Sequence, residues 1–193
     1  ILDLISLLHH VFPPEKTSQD LSTLAMRALN AEHIFQYPFM EENGFDLDQI
    51  MPGLQEIAMT YKTDAILKAK IQELSKHYTE DGPTLLHGDY YPGSWLKTLE
   101  GVRIIDPEFC FFGRAEFDVS VCVASLMMAQ QDQEIVDQFL ATYEGPKSFD
   151  AGLMWRLAGI EIMRRLIGLA QLPLSLNLTQ KETLLKEAKK LIL

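Results

Sequence analysis

The sequence has little cysteine, few basic residues and no long apolar run. Cys110 and Cys122 are the two cysteines in 193 residues, and they do not form a CxxC pair. A disulfide framework and a cysteine-built zinc site are therefore excluded. No secretory signal pattern opens the chain, so a reducing cytoplasm is the expected compartment. Lys and Arg total 17 against 27 Asp and Glu, a formal net charge of −10. That balance argues against broad nucleic-acid binding, which needs cations to neutralise phosphates. It also argues against docking on an anionic membrane surface. An anionic nucleotide could still bind where a metal ion or a local Arg cluster screens it. No apolar stretch approaches the roughly 20 residues of a membrane span. Residues 119–129 are apolar but too short, and are expected to form a buried helix. No internal repeat and no low-complexity tract is present. The chain opens Ile1-Leu2-Asp3-Leu4 without an initiator Met, as expected of a processed product or a fragment.

What is present suits one folded domain. Hydrophobic residues make up 47% of the chain, enough for a sizeable core. Residues 1–12 carry Ile1, Leu4, Ile5, Leu8 and Val11 or Phe12 on one helical stripe, stopped by Pro13-Pro14. A second helix is predicted over 19–35, with Leu21, Leu24, Ala25, Ala28 and Leu29 on its apolar face. Residues 41–52 read as a loop or a lid-like excursion, and 53–78 as helix. The short apolar run Thr84-Leu85-Leu86-His87 reads as a buried strand. Residues 94–97 and 102–105 flank the turn signal Leu99-Glu100-Gly101 and read as a β-hairpin. Helices are predicted to resume at 117–130, 132–143, 149–171 and 179–192, the last with a Thr179/Glu182 capping box. The expected fold is α+β and mainly helical, with a small β-hairpin insert carrying the acidic loops. It does not suit a doubly wound sheet, which needs repeated strand–helix alternation.

The chemistry concentrates in His87-Gly88-Asp89-Tyr90-Tyr91-Pro92-Gly93-Ser94 and Ile104-Ile105-Asp106-Pro107-Glu108. Protein kinases use the layout H-R-D-x-x-x-x-N for a catalytic Asp and a metal ligand, followed by a second metal-binding Asp. Asp89 takes the place of the catalytic Asp, Ser94 the place of the Asn, and Asp106 the place of the later Asp. The spacing suggests phosphoryl transfer from a nucleotide to a hydroxyl. Read as strand, Asp106 and Glu108 share a face, and both could converge on one Mg²⁺. Asp89 would orient the acceptor hydroxyl and take its proton. His87, beside the apolar run, reads as a buried histidine holding the loop. Ser94 could ligate the metal, reach a metal-bound water or brace the loop. Asp118 precedes a helix and reads as a cap or as support for the catalytic loop. Arg164 and Arg165 diverge by about 100° on a helix, so at most one should face a given pocket. A buried ion pair and recognition of a polar ligand explain them equally well.

These segments resemble the aminoglycoside-phosphotransferase and choline-kinase superfamily, and within it the 5-methylthioribose kinases. The superfamily pattern is H-G-D-x-H-x-x-N followed by I-D-x-E. His87-Gly88-Asp89, Gly93-Ser94 and the block from Ile105 through Phe109, Phe111, Gly113 and Phe117-Asp118-Val119 carry the likeness, with Arg164-Arg165 and the apolar run after it. Tyr90-Tyr91 stands where Leu-His is usual. The resemblance implies that Asp89 is the catalytic base, that Asp106 and Glu108 bind Mg²⁺, and that Ser94 joins them in binding the nucleotide. It implies that Arg164 and Arg165 bind a sugar substrate, that ATP is the co-substrate, and that a homodimer is an option. No G-x-G-x-x-G followed by a strand Lys occurs in the sequence, so residues 1–193 are expected to be the C-terminal lobe of a longer kinase, barely active alone. A sibling kinase for an aminoglycoside, choline or fructosamine, and a non-catalytic kinase-like binding protein, are the alternatives.

Overall fold

The computed structural model describes residues 24–193 together with Ile5, Ser6 and His9. Apart from those three, which are helical, the expected helix over 1–12 and its proline stop lie outside the described residues. Eight α-helices are described: α1 (Leu24–Phe35), α2 (Leu54–Lys62), α3 (Ala65–Leu74), α4 (Lys76–Thr79), α5 (Glu116–Met128), α6 (Gln133–Thr142), α7 (Ala151–Ile167) and α8 (Leu178–Ile192). Four short strands lie between α4 and α5: β1 (Thr84–Leu86), β2 (Trp95–Thr98), β3 (Gly101–Ile104) and β4 (Phe111–Gly113). They form two antiparallel pairs. β2 and β3 make the expected hairpin, with Trp95 opposite Ile104. β1 pairs instead with β4, Leu85 opposite Phe112, so the hairpin and its flanking loops project from the β1–β4 pair.

α5 is buried around its whole circumference, from Phe117 and Val119 to Ala124 and Met128. Its lack of a polar face is what a central core helix requires. α7 packs beside it, α8 packs on α7, and α1 also contacts α7. Tyr78 of α4 sits at the meeting point of α1, β4 and α5, with its ring 5.1 Å from Phe111 and 4.7 Å from Phe117. The core therefore lies directly under the β1–β4 pair.

Three expectations fail in instructive ways. The stretch 53–78 breaks into three helices: the Asp64 side chain accepts the Ile66 and Leu67 amides and starts the second, and Ser75 separates the second from the third. Helix α1 turns its expected apolar face outward: Leu24 is 63% and Leu29 50% exposed. Arg27 is buried instead, donating to the Thr79 carbonyl and Asp81 and lying 5.1 Å over the Phe111 ring. Those polar ties orient the helix in place of the leucines. The last helix is capped by a box between Asn177 and Gln180, not by Thr179 and Glu182. The segment 41–52 is the expected loop, packed down by Leu47, which is fully buried on a 3-10 turn.

Candidate active site

The loop between β1 and β2 carries Asp89, and it is held from below. The Asp118 carboxylate, fully buried in the first turn of α5, accepts the amides of His87 (2.6 Å) and Gly88 (2.9 Å). Its third neighbour is His9 Nε2 at 3.4 Å, and His9 Nδ1 in turn lies 2.7 Å from the Tyr143 hydroxyl. Of the two readings of Asp118, support for the loop is the one the geometry bears out.

His87 is buried and its Nε2 donates to the Ile105 carbonyl at 2.8 Å. That bond assigns the remaining nitrogen, Nδ1, as an acceptor, and the Asp89 amide reaches it at 3.4 Å. Gly88 adopts φ +83°, and a Cβ there would lie 2.3 Å from the Phe109 carbonyl oxygen. Only glycine fits both constraints. The loop is thus bonded at Ile105 and pressed against Phe109, the two residues that bracket Asp106-Pro107-Glu108. Ile105 also donates to the Ser94 carbonyl at 3.0 Å. The two acidic loops are stitched side by side.

The strand geometry expected for Asp106 and Glu108 is not found. β3 ends at Ile104, Asp106 turns into the left-handed region (φ 59°, ψ 54°), and Pro107–Phe109 is a 3-10 turn. Asp tolerates that conformation and Pro cannot continue a ladder, so the chain leaves the sheet there. Both carboxylates are exposed. Among the described residues no group of three or more His, Cys, Asp or Glu side chains gathers to hold a metal ion. Asp89, Asp106 and Glu108 do not form a closed cage. Mg²⁺ does not require one, since it binds through one or two carboxylates plus phosphate oxygens. Two exposed hard oxygen donors one residue apart fit that demand.

Asp89 is partly buried and its Oδ1 accepts Arg165 Nη2 at 2.6 Å. Burial raises its pKa above the ordinary carboxylate value, while Arg165 pulls the other way. Arg165 is 5% exposed and also donates through Nε to Glu161 Oε1 at 2.6 Å. Arg164 donates to the same Glu161 at 2.9 and 3.1 Å. Both arginines therefore converge on one carboxylate, because positions three and four along a helix are both neighbours. Burial raises the Glu161 pKa, but the two guanidinium groups outweigh it and hold the group below the usual range. Of the two explanations left open for the Arg pair, a buried ion pair is present.

Ser94 is buried, and its hydroxyl donates to the Asp89 carbonyl at 2.9 Å, the bracing arrangement among the three left open for it. Tyr90 is fully buried, its ring 5.9 Å from His87 and 5.5 Å from Trp95, so it anchors the loop. Tyr91 faces the site, with the Arg165 guanidinium 5.1 Å over its ring. Glu161 was missed in the sequence. The signal for it was its i,i+3 and i,i+4 spacing to the Arg pair. A groove of about 680 Å³, lined by residues including Trp155, Arg156 and Lys190, shares no lining residue with these loops.

Comparison with known proteins places this geometry in a family. Residues 5–154 match the model of the phosphotransferase enzyme family. A methylthioribose kinase of Exiguobacterium sibiricum is 32% identical over 145 residues, which are 70% of this chain and 36% of that protein. Methylthioribose kinase 1 of Oryza sativa subsp. japonica is 36% identical over 83 residues, 43% of this chain and 19% of that protein. A methylthioribose kinase of Bacillus cereus is 25% identical over 188 residues, 81% of this chain and 47% of that protein. The chain thus spans less than half the length of these curated relatives. With the family model covering more than half of its residues, the chain belongs to the phosphotransferase enzyme family.

Proposed function

We propose that residues 1–193 form the C-terminal lobe of an ATP-dependent kinase that phosphorylates a hydroxyl of a small molecule, with 5-methylthioribose the leading acceptor. The observation that carries this reading is the pair of acidic loops joined side by side. One presents Asp89 on a loop fixed by Asp118, and the other presents Asp106 and Glu108.

Asp89 would orient the acceptor hydroxyl and accept its proton as the oxygen bonds to the γ-phosphorus and the bond to ADP breaks. Burial raises the Asp89 pKa and so its proton affinity, and the Arg165 guanidinium opposes that rise. Asp106 and Glu108 would hold Mg²⁺, which when bound screens the charge of the phosphates. Ser94 would keep the Asp89 backbone in place. Arg164 and Arg165 are proposed to face the acceptor sugar while Glu161 holds them. The relatives carrying the word methylthioribose in their names support that acceptor. An aminoglycoside, choline or fructosamine is the alternative acceptor, and Tyr91 in place of the usual His favours testing them.

The deciding experiment is an ADP-release assay on the protein that carries this lobe, with Mg²⁺, ATP and a panel of acceptors. Turnover of methylthioribose, lost in Asp89→Asn with ATP affinity retained, is the expected result. Turnover of another acceptor alone would overturn the substrate. ATP binding with no turnover of any acceptor would favour a kinase-like binding protein.

A further inference from the structure

Tyr91 stands where the superfamily pattern has a histidine, and its ring has two close neighbours. The Arg165 guanidinium carbon lies 5.1 Å from the ring centroid. The ring also lies against Gly93: a Cβ on that residue would fall 2.4 Å from Tyr91 Cζ and Oη and 2.6 Å from Cε2. No side chain can stand there while the ring keeps its place. Arg165 is itself pinned at two atoms, Nε to Glu161 and Nη2 to Asp89, each at 2.6 Å. Its guanidinium is therefore held by two carboxylates and lies over an aromatic ring.

We propose that Tyr91 is a positioning residue, which clamps Arg165 in the orientation that presents Asp89, with its ring seated against Gly93. The Asp89 part of this rests on the kinase reading above; the clamp on Arg165 does not. A cation desolvated against an aromatic face is held by the ring quadrupole. The rigid planar fork of Arg makes that hold directional, so fixing the plane fixes where Nη2 points. Tyr91 is also tied to the loop it serves, since its amide donates to the Asp89 carbonyl at 3.0 Å and its carbonyl accepts the Ser94 amide at 2.9 Å. The backbone that carries the ring is thus bonded to the loop it serves.

The test is nitrogen-15 NMR of the Arg165 guanidinium in this chain, which reports rotation about the Nε–Cζ bond. Wild type and Tyr91→Phe should show slow rotation, within about twofold of each other, because Phe keeps the aromatic face. Tyr91→Leu should rotate about tenfold faster, the factor expected from losing a buried cation–ring contact. Gly93→Ala, which leaves the tyrosine but displaces its ring, should match Tyr91→Leu. Adding Gly93→Ala to Tyr91→Leu should change nothing further. Unchanged rotation in both Tyr91→Leu and Gly93→Ala would overturn the clamp, as would equal acceleration in Tyr91→Phe and Tyr91→Leu. In the protein that carries this lobe, Tyr91→Leu should lower kcat/KM for the acceptor, with Tyr91→Phe recovering most of the loss. A wild type that turns over no acceptor refutes the kinase reading alone, since rotation still decides the clamp.

Discussion

Asp118→Asn is the sharpest perturbation of the loop that presents Asp89. The wild-type carboxylate is fully buried and accepts two amides, at 2.6 Å from His87 and 2.9 Å from Gly88. An asparagine of the same shape offers one oxygen. Its NH₂ group must then face one of the two amides, donor against donor. Losing the charge on the surviving bond costs roughly 1 kcal/mol, about half of a charge-assisted bond. Stranding one buried amide costs about 1–3 kcal/mol more. The sum, about 2–4 kcal/mol, is a large part of the roughly 5–15 kcal/mol of a typical domain. For a chain of this size it should lower Tm by about 4–16 °C. With a urea m-value of about 2 kcal/mol/M, the midpoint should drop by about 1–2 M. Amide hydrogen exchange supplies the local measurement: His87 and Gly88 should lose protection beyond the global change. An unchanged midpoint with both amides as protected as in wild type would refute the assignment of Asp118 as the support of this loop.

Glu161→Gln should destabilise by about 3–5 kcal/mol in urea titration, since it leaves two guanidinium groups in the interior without their shared anion. The depressed pKa of Glu161 gives stability that is full above the unfolded-state value and lost as pH falls through the lower folded value. Urea midpoints of wild type should therefore fall on acidification in that window, and those of Glu161→Gln should fall less. Lys62→Met should stabilise by about 1–3 kcal/mol, because Lys62 Nζ is fully buried with no hydrogen-bond partner among the described residues and Met fills a similar volume. Burial depresses the Lys62 pKa, so between its folded value and the unfolded value the unfolded chain binds more protons. Wild-type stability should rise with pH across that window, a slope that Lys62→Met removes. The raised pKa of Asp89 should place the acid limb of the kcat/KM profile above the ordinary Asp range. A limb at or below that range would remove Asp89 from the base role.

Much of this arrangement was legible from the chain because it is local. The hairpin of β2 and β3 follows from a two-residue turn between apolar strands, and β1 from a short buried run. Helices α5 through α8 follow from periodicity, within a few residues at each end. Their ends shifted where a side chain competed for an amide: Asp150 accepts the Leu153 amide and starts α7 two residues late, and Asn177 takes the cap expected of Thr179. The His87 and Asp118 roles were readable because a histidine beside a buried run, and an acid at a helix start, each have few ways to be satisfied.

What was not legible lay in choices that local rules leave equal. Asp106 and Glu108 alternate as strand residues would, yet Pro107 and a left-handed Asp106 take the chain out of the sheet. Nothing in the alternation distinguishes a strand's last residue from the first residue of a turn. Helix α1 has Leu29 roughly opposite Arg27, and hydrophobicity alone buries the leucine. The carbonyl of Thr79 and the carboxylate of Asp81 reverse the outcome, and both come from a segment some fifty residues later. Arg165 shows the same limit at the site itself. Its tie to Glu161 is one helical turn away and follows from spacing, whereas its tie to Asp89 spans 76 residues. The core formed by α5 and α7 sets the second contact, by bringing the α7 arginines up beneath a loop that α5 already holds through Asp118. A substitution that shifts α7 along α5 should therefore separate Arg165 from Asp89 while sparing its bond to Glu161, which moves with the helix.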